Sequence, residues 1–170
     1  MAMSSNSTHT HSLRLPVKEW RIENSKFIPE VIKLLNEGHT VTLQLRGFSM
    51  RPFLEDNRDK ALLAKAKDIQ VGDAVLSETA PKHYVLHRII KIQGETVTLR
   101  GDGNLGTEVC RVNDVHGIAL GFYRKGRAKL DKTSGVKWRT YSHIWMALYP
   151  IRRYLLAGYR RIWIPLFGPI

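Results

Sequence analysis

The 170-residue chain is 43% hydrophobic and 25% charged, an ordinary composition for one globular domain and one that excludes collagen-like, low-complexity and disulfide-scaffold classes. Its single cysteine, Cys110, has no partner for an intrachain disulfide, so the fold rests on its core and needs no oxidising compartment. The net charge of +12 is lopsided: residues 124–170 hold 11 Lys and Arg against one acid, Asp131, which leaves +2 for residues 1–123.

Residues 1–12, MAMSSNSTHTHS, are polar and lack the apolar stretch of a secretory signal, so residues 1–23 read as a disordered or extended leader. From Asn24, NSKFIPEVIKLLNEG carries apolar residues at 28, 31, 32 and 35, which predicts a helix of about three turns stopped at Gly38. The period then changes. VTLQLRG (41–47), KALLAKA (60–66), DAVLSE (73–78), HYVLHRIIKI (83–92), ETVTLRG (95–101) and HGIALGFYRKG (116–126) are short, alternating or β-branched runs divided by Gly, Asp and Asn, which predicts a mainly β body. QGET at 93–96 reads as a hairpin turn pairing 83–92 with 95–101, and VGD at 71–73 as a turn into a strand. Residues 127–137 read as a polar linker and 138–170 as a separate helical tail.

That tail holds three of the four Trp and four of the six Tyr. On a helix Trp138, Tyr141, Trp145 and Tyr149 form one row, while Arg152, Arg153, Arg160 and Arg161 fall within half the circumference and interrupt any membrane span. Pro150 is expected to kink or split the helix. Basic, Trp-bearing amphipathic segments lie at membrane surfaces; the competing expectation is a helix packed on the β body. No recognition motif accompanies the charge, so nucleic acid is not an expected partner.

Three places could carry chemistry. In Gly47-Phe48-Ser49-Met50-Arg51-Pro52 a serine sits where a strand ends, able to attack a carbonyl if a base is near, although a serine beside a turn glycine is usually just a turn residue. His87, in YVLHRII, shares a strand face with Val85 and Ile89 and could act as a general base near neutral pH; alone it reads as a structural histidine. Arg100-Gly101-Asp102-Gly103-Asn104 closes the strand expected to pair with that of His87, with Glu108 six residues after Asp102. Either acid could orient the imidazole, and Asp102 is preferred because it lies at the strand end.

Taken in order, GFSMRP, VGDAVL, VLHRII and RGDGN with HGIALGFYRKG resemble the boxes of the signal peptidase and LexA superfamily of serine peptidases, over about residues 40–126. The resemblance implies a coiled β-sheet peptidase domain at 24–126. The base position holds His87 followed by Arg88, as in the archaeal and endoplasmic-reticulum signal peptidase branch. It further implies Ser49 as nucleophile, His87 as base, Asp102 or Glu108 as the acid, and Gly47, Phe48, Met50 and Pro52 around the substrate. Gly47 offers no hydroxyl to an oxyanion, which leaves backbone amides. The implied activity is that of a serine endopeptidase acting on a peptide or protein without a cofactor. The expected location is cytoplasmic, with peripheral attachment to an anionic membrane surface through the tail. The alternative is a catalytically silent binding protein of the same fold.

Overall fold

The computed structural model describes residues 24–170, and the expected leader at 1–23 lies outside the described residues. The first helix, α1 (Asn24–Asn36), buries Ile28, Val31 and Leu35 along one stripe with Ile32 at its edge, and ends before Gly38 at φ +89°. Eight strands follow: β1 (Val41–Gln44), β2 (Lys60–Lys65), β3 (Ala74–Ala80), β4 (His83–Gln93), β5 (Thr96–Arg100), β6 (Glu108–Arg111), β7 (Val115–Tyr123) and β8 (Leu130–Lys132). They form one antiparallel sheet in the order β1-β2-β7-β3-β4-β5-β6, with β8 added to β7. The mainly β expectation holds, and each expected strand overlaps an observed one.

The β4–β5 hairpin turns at Gly94-Glu95, with Gln93 opposite Thr96, where the QGET signal places it. Alternation along β4 sends its side chains into two separate apolar clusters. Tyr84 and Leu86 pack on the larger core under α1, whereas Val85 and Ile89 join Val75, Val97, Leu99, Cys110 and Val115.

Two expectations about the C-terminal third are corrected. Residues 127–137 are not a plain linker, because β8 pairs there with Gly121–Tyr123 of β7. The pairing of β3 with β7 stops at Ile118, so that flank of β7 still offers backbone groups for a short strand to satisfy.

Nor is the tail a separate unit. It runs as α2 (Val136–Ala147), a 3-10 turn carrying Pro150, α3 (Arg152–Gly158), a π-helical turn at Tyr159–Trp163 and α4 (Ile164–Phe167). Trp138 is buried against Phe53 and Phe122, with ring centroids 5.0 and 4.7 Å away, and Tyr141 stacks on Phe53 at 4.4 Å. Trp145 is buried too, and so is Arg152, whose guanidinium donates to the Trp145 carbonyl. These residues belong to the body and are withdrawn from any lipid-facing row. Ile162, Trp163, Leu166 and Phe167 remain exposed. Among the described residues no helix is long and apolar enough to cross a membrane.

Candidate active site

Ser49 lies in the loop that joins β1 to β2. That loop is pinned at its base, where Leu45 N donates to Asp59 O and Asn57 N donates to Leu45 O. Met50, Phe53 and Leu54 anchor it in the core, and a paired Arg51 and Glu55 brace it, with Nε 2.9 Å from Oε2. Gly47 has φ +85° and open space where a Cβ would be, so glycine is needed there for its backbone angle and not for a close approach. Its amide donates to Asp56 Oδ1 at 2.7 Å, whereas the Ser49 amide has no acceptor among the described residues. Ser49 itself is half-buried at the top of this braced loop.

His87 is positioned by the register of three strands. Leu99 of β5 faces Ile89 of β4 on one side and Glu108 of β6 on the other, and His87 stands two residues from Ile89 on the same face. Glu108 thereby reaches the ring, with Oε2 2.9 Å from Nδ1. A carboxylate oxygen accepts, so Nδ1 carries the proton and Nε2 is left with its lone pair. Burial pushes the His87 pKa below its ordinary 6.5, opposed by the charges of Glu108 and Asp102. Burial thus favours the uncharged ring, the form able to accept a proton.

Asp102 does not touch His87, which corrects the preference for it as the orienting acid. Its carboxylate takes a two-pronged bond from Arg88, at 2.9 Å from Nε and 2.7 Å from Nη2. Both residues are about 1% exposed. Tyr141 Oη donates to the same carboxylate at 3.0 Å, and Trp145 Nε1 donates to the Asp102 carbonyl. Burial, then the nearby Asp102 charge, raises the Tyr141 phenol well above its ordinary value and keeps it a donor. The cause of the reassignment is alternation: His87 and Arg88 leave β4 on opposite faces, and Asp102 follows Arg88.

The glycines on either side of Asp102 form the seat of the Ser49 loop. A methyl at Gly101 would collide with the Ser49 carbonyl and stand 3.0 Å from His87 Nε2; one at Gly103 would meet the Phe48 carbonyl at 2.6 Å. The Gly103 amide donates to Ser49 O at 2.7 Å. The serine's backbone and the free nitrogen of His87 thus converge on Gly101. This packing role went unread in the sequence, although two glycines flanking an acid at a strand end are its visible trace.

Ser49 and His87 share the wall of a mainly apolar cavity of about 130 Å³ lined by Leu43, Leu45, Met50, Leu76, Tyr84 and Leu86, with Gln44, Arg46 and Glu55 also in its wall. Among the described residues no hydrogen bond joins Ser49 Oγ to the ring. Gly47 and Met50 line this cavity. Phe48 lies off it, exposed with the Arg51 guanidinium 4.0 Å from its ring centroid, and Pro52 does not line it either. A second, polar cavity of about 710 Å³ also has His87 in its wall, beside Glu108 and the 103–107 loop. Among the described residues no cluster of three or more His, Cys, Asp and Glu is arranged to hold a metal ion.

What the fold and site define is an antiparallel β domain with a serine and a histidine in the wall of one cavity and a glutamate on the far nitrogen of that histidine. The chain matches no family model and no curated protein.

Proposed function

We propose that this chain is a serine endopeptidase with a coiled β-sheet of the LexA and signal peptidase type, using Ser49, His87 and Glu108. The observation that carries the reading is the polarised imidazole. Glu108 holds Nδ1–H, while Nε2 faces Gly101 beside the Ser49 backbone. In the reaction His87 Nε2 takes the Ser49 proton as Oγ bonds to the substrate carbonyl carbon, and the Ser49 amide donates to the oxyanion. The carbon–nitrogen bond then breaks as His87 passes the proton to the leaving amine. Water attacks the ester, gives its proton to His87 and releases the acid, and that proton returns to Ser49. Substrate side chains on the acyl side occupy the apolar cavity. Cytoplasmic residence completes the proposal.

The second reading is a silent binding protein of the same fold, attached to a membrane surface by its tail. It draws on the exposed Ile162, Trp163, Leu166 and Phe167. A fluorophosphonate probe separates the two. Phosphonylation of Ser49 in the full chain, lost in Ser49→Ala and nearly lost in His87→Ala, is the expected result. Folded protein that takes no label near neutral pH would reject the peptidase reading.

A further inference from the structure

We infer that the larger cavity beside His87 binds an acidic segment of the substrate that follows the scissile bond, an inference resting on the peptidase reading above. Its tail wall carries Arg153, Arg160 and Arg161, with Leu156 and Ala157 between them. Among the described residues Glu108 is the one acid in its lining, and that carboxylate is taken by His87. Other arginines of the body are tied up: Arg88 on Asp102, Arg124 on the Phe53 carbonyl, Arg152 on the Trp145 carbonyl. Arg153 and Arg161, by contrast, are exposed and make no side-chain hydrogen bond or ion pair among the described residues, and Arg160 is exposed with no ion pair there. Arg160 donates to Gly103 O at 3.0 Å, which joins the tail wall to the 103–107 loop.

Direction follows from the chemistry. The acyl half must lie against Ser49 and its amide, where the apolar cavity opens. The leaving amine must come within reach of His87 to receive its proton, and the chain beyond that amine then passes the histidine. His87 lines both cavities, so the next space this chain meets is the arginine-lined one. Guanidinium groups recognise carboxylates by paired hydrogen bonds as well as by charge, and three of them suit two or three acidic residues in succession.

The test uses the full chain carrying Ser49→Ala, so that binding is read without turnover. Two fluorescein-labelled peptides differ only in three residues after the central bond, Glu in one and Gln in the other. By fluorescence anisotropy the Glu peptide should bind about tenfold tighter, the scale of a few exposed ion pairs acting together, and the gap should close as salt rises. Adding Arg153→Glu and Arg161→Glu, at side chains with no hydrogen bond among the described residues, should abolish the preference and favour a Lys counterpart. If that chain fails to fold, Arg153→Gln and Arg161→Gln singly should each narrow the gap. Equal binding of the Glu and Gln peptides, or a Glu preference that survives charge reversal, would overturn the inference. So would sedimentation with phosphatidylglycerol vesicles that needs Arg153 and Arg161 and is not relieved by the Glu peptide, which would assign these cations to a membrane. Because no cleavage is read, loss of Ser49 labelling and loss of the acidic preference are separate failures.

Discussion

His87 sits between two opposing influences, and both are open to mutation. Burial depresses its pKa while Glu108 and Asp102 pull it back up. Proton abstraction needs the neutral ring, so kcat/KM should rise with pH as the ring loses its proton, with a midpoint below the ordinary 6.5. Glu108→Gln removes the largest of the raising influences, so the midpoint should move lower still. The same change leaves the tautomer unheld and should reduce kcat by about 10²- to 10⁴-fold with little change in thermal stability. Asp102→Ala should do the reverse. It strands Arg88 in the core, a loss of about 3–5 kcal/mol for a broken buried pair, visible as a fall in the urea midpoint. Ser49 and His87, the proposed nucleophile and base, could be singled out because each sits in a local pattern, a strand end and an alternating run. The carboxylate that meets His87 could not, since deciding between Asp102 and Glu108 needs the register of β5 on β6, and the four residues EVCR are too few to announce a strand.

Among the elements, α1 and the β4–β5 hairpin could be read ahead because their periodicity is set by a face each must bury. The seat itself, the glycine-flanked turn at 101–103, could be placed but not interpreted. Its glycines answer to a loop some fifty positions away in the chain. Gly101→Ala should therefore impair probe labelling of Ser49 well before it unfolds the protein, because the added methyl presses on both the Ser49 carbonyl and His87 Nε2; labelling at the wild-type rate would refute the seat. For α2 the aromatic row was evident, and its destination was not, since a helix pattern names a buried face without naming the partner. With Trp138 inside a cluster of Phe53, Phe122 and Tyr141, Trp138→Ala should cost about 3–5 kcal/mol in denaturant unfolding. A chain cut after Gly135 should lose cooperative unfolding altogether.

Across the whole molecule, the +10 of residues 124–170 divides into cations with different duties. Arg124 and Arg152 are internal struts, Lys137 pairs with Asp131, and the remainder face water or the larger cavity. Because α2 closes the core and also grips Asp102, the sheet and the tail should unfold together. Far-ultraviolet circular dichroism and tryptophan fluorescence should give coincident urea transitions; two separated transitions would mean the tail is held independently. The bond from the Trp145 indole to the Asp102 carbonyl has a practical corollary. Asp102 lies between the two glycines that seat the Ser49 loop, so an inhibitor that shifts the seat changes the surroundings of a chromophore. Site occupancy should therefore be readable as an emission change on titration, silenced by Trp145→Phe, without any label at Ser49.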